Sequence, residues 1–150
     1  MPQSLSKVLL HLIFSTKNRE KIILPNIQPK LHAYLATACR TIGSEAYRVG
    51  GTEDHIHIAC SLSRTMTISK LMEEIKKTSS SWIKKQDVLL DSFTWQAGYG
   101  AFSLGQSQLM DLINYIDNQH KHHQKKTFKE ELKALLLKYN VKYDDQYLWD

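Results

Sequence analysis

The chain has 150 residues, of which 42% are hydrophobic and 23% charged, so we expect residues 1–150 to form one domain with a buried core. No stretch approaches the roughly 20 apolar residues that span a bilayer, and the N-terminus lacks a signal-peptide pattern, which predicts a cytoplasmic protein without a membrane partner. The net charge of +5 is compatible with a polyanionic partner but does not require one.

Hydrophobic periodicity predicts four strands and four longer helices, with a strand at 6–16 first and a helix ended by Gly43 next. Strands at 45–51 and 55–62, a helix at 67–85 and a strand at 99–104 follow. A helix then starts near Ser107, and the last helix opens with a capping box at Thr127 and Glu130. The tail at 141–150 is expected to pack on the body, and Cys39 and Cys60 are expected to be free buried thiols.

The order β-α-β-β-α-β is that of a ferredoxin-like fold, an α+β sandwich whose antiparallel sheet carries helices on one face. A C-terminal helix bearing Tyr115 follows this unit. RNA-recognition domains share the same topology, so topology alone does not choose a function.

The third predicted strand alternates clearly, because Ile56 and Ile58 point to one face while His55 and His57 point to the other. We expect the histidine side to be polar and open. Two imidazoles on one face can bind a divalent metal, although a structural role for both histidines is an equal alternative.

Tyr115 and Gln119 lie four residues apart in a helical segment and therefore share a helix face. An amide oxygen could complete a metal site with His55 and His57, and a tyrosine beside that metal could attack a phosphodiester. An aromatic residue on an amphipathic helix is more often part of the core, and this alternative stays open for Tyr115.

Several residues are candidate DNA contacts, each with a plain structural alternative. His11 could stand beside the histidine pair or be an ordinary hydrogen-bonded residue of the first strand. Exposed lysines are mostly just solvated, and aromatic residues mostly pack in a core. The remaining candidates are Lys17, Arg19, Lys76, Lys77, Trp95 and Tyr99.

Six segments together resemble the single-tyrosine HUH transposases of small insertion sequences, the IS200-like family, and the related repeat-associated tyrosine transposases. The segments are His11-Leu-Ile-Phe-Ser-Thr-Lys-Asn-Arg19, Asp54-His55-Ile-His57, Trp95-Gln-Ala-Gly-Tyr99-Gly-Ala-Phe-Ser103, Tyr115-Ile-Asp-Asn-Gln119-His-Lys-His-His123, Thr127-Phe-Lys-Glu-Glu131 and Tyr147-Leu-Trp-Asp150. They occur in order across nearly the whole chain.

The resemblance implies that His55, His57 and Gln119 bind Mg²⁺ or Mn²⁺ and that Tyr115 is the nucleophile. It further implies a transposase that cuts and rejoins single-stranded DNA at insertion-sequence ends through a 5′-phosphotyrosine. The implied substrate is single-stranded DNA with subterminal hairpins. The implied assembly is a homodimer with active sites shared between subunits, acting at the nucleoid.

Two other functions compete with this hypothesis. A non-catalytic or domesticated nucleic-acid-binding module would have the same topology but would capture no DNA covalently. A histidine-triad nucleotide hydrolase would need a third alternating histidine, and that position is Ala59.

Overall fold

The computed structural model describes residues 2–150 and contains four strands and six α-helices among them. The elements are β1 Leu9–Ser15, α1 Gln28–Thr41, β2 Ala46–Gly51, β3 His55–Ser61, α2 Ile68–Lys84, β4 Gly100–Leu104, α3 Leu109–Asp117, α4 Gln119–His122, α5 Phe128–Lys138 and α6 Asp145–Leu148. Short 3₁₀ turns occupy Lys17–Arg19, Val88–Leu90 and Gln106–Gln108.

The four strands form one antiparallel sheet in the order β2-β3-β1-β4. This order confirms the predicted ferredoxin-like α+β arrangement, with β1 and β3 in the centre. Ile13 of β1 lies opposite His57 of β3, and His11 lies opposite Ala59. Because opposed residues share a face, His11 and the two histidines of β3 point to the same side of the sheet.

The main core lies between the sheet and helices α1 and α2. Leu12 and Phe14 of β1 meet Ile56 and Ile58 of β3 there, with Leu71 among the fully buried residues that α2 contributes. The predicted end of α1 and both predicted bounds of α2 are confirmed within a few residues. Thr67 caps α2 by accepting a hydrogen bond from the Lys70 amide, and Gly43 has a φ of 85° after α1.

The opposite side of the sheet, here called the histidine face because it carries His55 and His57, is covered. The expectation of an open polar face is therefore wrong, and both histidines have 0% exposure. Two helices bury apolar stripes there, since each stripe must leave water. On α3 the stripe is Leu109, Ile113 and Ile116, which packs on Leu9 and Ala59; on α5 it is Phe128, Leu132 and Leu136, which packs on Ile13 and Phe102.

The predicted helix through Tyr115 and Gln119 is broken between them. Asn118 leaves helical geometry with φ −103° and ψ 19°, and its side-chain amide donates to the Asn114 carbonyl at 2.7 Å. Gln119 therefore begins α4. A side chain that competes for backbone hydrogen bonds accounts for the break.

Smaller expectations are also met. The capping box of Thr127 and Glu130 begins α5, and Trp149 of the tail packs against the α5 cluster. Cys39 and Cys60 are free and buried. In residues 2–150, no helix combines the length and apolar character needed to cross a membrane.

Candidate metal and nucleophile site

His55 and His57 bring their Nε2 atoms together beneath α5. Nε2 of His57 lies 3.0 Å from Oε1 of Glu131, and Nε2 of His55 lies 3.6 Å from the same oxygen. One ligand atom from each of these three residues lies within 4.8 Å of the other two, and all three side chains are buried. This arrangement could hold one metal ion between two imidazoles and a carboxylate.

Neighbouring groups orient His55. Its Nδ1 lies 2.7 Å from Oδ1 of Asp54 and 3.0 Å from Oγ1 of Thr52. A carboxylate can only accept, so Nδ1 carries the proton and Nε2 keeps its lone pair for a metal. Burial would raise the pKa of Asp54, but its hydrogen bond to His55 and the histidine charge bring that pKa below its ordinary value.

His57 has a second histidine behind it. Nδ1 of His57 lies 2.7 Å from Nε2 of His11, and the two rings stack with their centroids 4.9 Å apart. Burial, with the nearby His57, lowers the pKa of His11 to about 3, so that His11 is neutral. Burial likewise lowers the pKa of His57 to about 4, although Glu131 opposes the shift. A neutral His11 can accept the Nδ1 proton of His57 and leave Nε2 of His57 free for a metal.

Gln119 reaches the same centre despite the helix break. Its side chain is 1% exposed, and its Oε1 lies 2.8 Å from Nε2 of His55. Its Nε2 donates to Oε2 of Glu131 at 3.1 Å. The predicted ligand thus lies at the site, with its oxygen directed toward His55 and its amide nitrogen fixed by a carboxylate.

Glu131 is a candidate functional residue that the sequence analysis missed. It is 2% exposed, and its Oε1 lies 3.0 Å from Nε2 of His57 and 3.0 Å from Nε2 of His123. Burial would raise the pKa of Glu131, but these close contacts and the positive charge that the histidines carry when protonated lower it well below its usual range. A signal was present, because Glu131 falls on the apolar stripe of α5 between Phe128 and Leu135, where a carboxylate requires partners.

Tyr115 stands at the edge of this cluster and is half-buried. Its hydroxyl donates to Oε2 of Glu131, and its ring lies edge-on to His57 with centroids 5.7 Å apart. Burial and the negative charge of Glu131 raise the pKa of Tyr115 above its ordinary value. The resting hydroxyl is therefore protonated at neutral pH, and all of these side chains come from one chain.

The donor set fits a divalent cation. One carboxylate oxygen and one amide oxygen are hard ligands, but the two imidazole nitrogens are borderline ligands, so the set suits Mn²⁺ better than Mg²⁺, which prefers oxygen alone. Hydrogen bonds from neighbouring side chains orient these candidate ligands, as is usual for metal ligands.

The candidate DNA contacts do not gather at one place. His11 lies in the site, whereas Lys17 and Lys77 are exposed on the surface. Arg19 lies over the Trp149 ring at 5.4 Å. Tyr99 is 42% exposed.

Two of those candidates are already engaged in the fold. The ammonium of Lys76 donates to the carbonyls of Gln96 and Gly98 at 2.7 and 2.8 Å, and burial lowers its pKa to about 8. Trp95 is 6% exposed, packs edge-on against Phe14 and donates to a serine hydroxyl of α2 at 3.0 Å. Trp95 is therefore a core residue, buried by neighbouring aromatic side chains. Its ring is not available for stacking on a base.

Comparisons with known proteins identify the sequence family. The sequence model of the family described as "Transposase IS200 like" matches residues 4–119. No curated protein sequence matches the chain.

Two solved structures share the fold. A proposed transposase from Deinococcus radiodurans R1 has 18% identity and a TM-score of 0.62, over 79% of this chain and 98% of that one. A REP-associated tyrosine transposase bound to a REP hairpin has 17% identity and a TM-score of 0.60, over 82% of this chain and 73% of that one. Identities this low establish the common fold alone.

Proposed function

This chain belongs to the IS200-like transposase family, and from that premise we propose that it cuts and rejoins single-stranded DNA through a covalent bond to Tyr115. The observation that carries the proposal is the contact of the Tyr115 hydroxyl with Glu131, whose other oxygen faces His57. A nucleophile and a candidate metal centre thus share one carboxylate. The sites cut would be the ends of an insertion sequence.

The proposed reaction balances without an external energy source. The Tyr115 oxygen attacks phosphorus, and the bond from phosphorus to the 3′ oxygen breaks with its electron pair leaving on that oxygen. The 3′ oxygen takes a proton from water, so a 5′-phosphotyrosine and a free 3′-hydroxyl result. Oε2 of Glu131 is the atom placed to take the tyrosine proton as the new bond forms. A second 3′-hydroxyl then displaces the tyrosine and joins the strands, so the phosphodiester energy is conserved.

Mg²⁺ or Mn²⁺ would be held by His55, His57 and Glu131, with Gln119 as a further ligand. When bound, such a cation polarises a phosphate oxygen and stabilises the charge that develops on it. The protein residues orient these ligands: Asp54 and Thr52 fix His55, and His11 fixes His57.

The related transposase bound to a REP hairpin supports a DNA hairpin as the partner of this chain. We further propose that residues 1–150 act as one domain in the cytoplasm, at the nucleoid. The proposed assembly is a homodimer with shared sites, in which α3 to α5 of one subunit would make the contacts described here with the sheet of its partner.

The test is incubation of the purified protein with Mn²⁺ and labelled single-stranded DNA from its element's ends, followed by a denaturing gel. We expect a protein–DNA adduct that EDTA abolishes and that Tyr115→Phe does not form. Tyr143→Phe is the matched control, since Tyr143 is 44% exposed in the C-terminal tail and outside the candidate site. Binding without an adduct in the unaltered protein would instead support the non-catalytic binding module.

A further inference from the structure

A cleft of about 400 Å³ opens between α3 and α5 and ends at the nucleophile. Tyr115, Glu131 and His11 line its inner end, where the candidate metal centre begins. Its volume falls within the range of roughly 300–1,000 Å³ that is usual for small-ligand pockets. Because the cleft ends at Tyr115, a nucleotide next to the phosphate that Tyr115 attacks must lie at or in this cleft.

Part of the cleft wall is apolar. Leu112 projects from α3, Leu135 from α5 and Leu104 from β4, and the partly buried ring of Tyr139 lies among them. Such surfaces suit the faces of a nucleobase and carry no fixed hydrogen-bond pattern that would demand one particular base.

The charges at the cleft are unequal between its two sides. Lys126 and Lys138 lie on the α5 side and are exposed, and across residues 2–150 neither has a carboxylate within ion-pair distance. The positive charge of Lys138 also contributes to the low pKa of His11, which places the ammonium near the inner end. Asp111 lies on the opposite side, on α3. A phosphate is attracted to the lysine side and repelled by Asp111.

We propose that this cleft binds one nucleotide of single-stranded DNA, the one adjoining the phosphate that Tyr115 attacks. The base lies between Leu112 and Leu135, and its phosphates face Lys126 and Lys138. This inference rests on the proposed function, because it assigns the substrate strand a path to Tyr115.

The first experiment measures the salt dependence of binding of a short, fluorescein-labelled single strand of mixed sequence. Log K falls as log salt rises, and the double variant Lys126→Ala/Lys138→Ala should make this negative slope shallower by about 1.4. This corresponds to roughly 0.7 for each lost phosphate contact. The control is Lys129→Ala/Lys133→Ala, which removes the same amount of charge from α5. Lys129 lies over Trp149 and Lys133 pairs with Asp145, so this control should retain the slope of the unaltered protein. Equal changes in both double variants, or no change in either, would overturn the inference.

The second experiment follows backbone amide resonances while dCMP is added. Shifts should concentrate at Leu112 and Leu135 and should disappear in Ala134→Trp, which adds bulk to an exposed residue of the cleft wall. Circular dichroism verifies that this variant is folded. Shifts confined to other surfaces would contradict the inference.

The adduct assay separates this inference from the proposed function. If the unaltered protein forms the adduct but the lysine variants show no selective change of slope, the cleft assignment fails and the chemistry stands. If no adduct forms while the slope falls only in the cleft variant, the chemistry fails and the nucleotide site stands.

Discussion

The hydroxyl of Tyr115 donates a hydrogen bond to Oε2 of Glu131, while Oε1 of the same carboxylate faces Nε2 of His57 at 3.0 Å. The proposed nucleophile and the candidate metal centre are thus coupled through a single side chain. A change in the charge of Glu131 must affect both the pKa of Tyr115 and the affinity of the two histidines for a cation.

Glu131→Gln should weaken Mn²⁺ binding by at least about tenfold, because it replaces an anionic ligand by a neutral amide. The measurement is the rise in melting temperature with added Mn²⁺, since binding to the folded state alone contributes about 2.7 kcal/mol at 100 times Kd. Glu73→Gln is the control, because Glu73 is exposed on α2, which packs on the face of the sheet opposite to the candidate site. Equal Mn²⁺ stabilisation of both variants would show that Glu131 is not a ligand.

The histidine pair could be placed from sequence, but Glu131, the carboxylate that faces Nε2 of both histidines, could not. Alternation along β3 fixes the shared direction of His55 and His57, because the period of a strand is local. Glu131 meets them only through the packing of α5 across the sheet, 74 residues along the chain from His57. Its position on an apolar stripe was a local signal, but its partners are set by tertiary structure.

The covering of the histidine face could not be predicted for the same reason, because it also depends on tertiary packing. The apolar stripes of α3 and α5 were visible in the sequence, whereas the surface that would receive them was not. The break at Asn118 was missed because helical periodicity continues through it, and a side-chain hydrogen bond to Asn114 ends α3 there. Strand order, in contrast, followed from the order of elements, since short connections leave few topologies.

Gly50→Ala should displace α3 and reduce adduct formation. A Cβ at Gly50 would lie 2.6 Å from Cγ2 of Ile116 and 3.1 Å from its carbonyl oxygen, so the helix that carries Tyr115 must move. Overpacking of this kind costs about 1–3 kcal/mol. Thermal unfolding and the rate of adduct formation measure the two effects.

Gly98→Ala is the matched control for this change. A Cβ at Gly98 would meet no atom within 4 Å in the described part of the chain, so stability and adduct formation should both be retained. If Gly50→Ala formed the adduct as fast as the unaltered protein, the close packing of α3 against β2 would not be what positions Tyr115.

Acid should destabilise the protein partly through His32, a residue of α1 outside the site. Burial, with the nearby charge of His120, lowers the pKa of His32 to about 4 from 6.5. The unfolded chain therefore binds the proton more readily, and the free energy of unfolding falls as the pH drops from about 6.5 to about 4. One such group contributes up to about 1.4 kcal/mol per pH unit.

His32→Gln removes that proton-binding difference. Its free energy of unfolding, measured with urea at a series of pH values, should fall less steeply between about 6.5 and 4 than that of the unaltered protein. His11 and His57 also have lowered pKa values and remain, so part of the slope persists. Parallel pH curves for the two proteins would exclude His32 as a contributor.

Mixing two inactive variants tests how the proposed homodimer builds its sites. Tyr115→Phe lacks the proposed nucleophile, and His57→Ala lacks a proposed metal ligand. Half of the randomly mixed dimers contain one chain of each variant. If the sites are shared, one of the two sites in each such dimer has both Tyr115 and His57 intact. About a quarter of the adduct yield of the unaltered protein should therefore return. The connection from β4 to α3 runs through the exposed 3₁₀ turn Gln106–Gln108, where such an exchange would have to occur. No recovery, with dimers present by light scattering, would mean that each chain uses its own Tyr115, which already lies 5.7 Å from its own His57 between ring centroids.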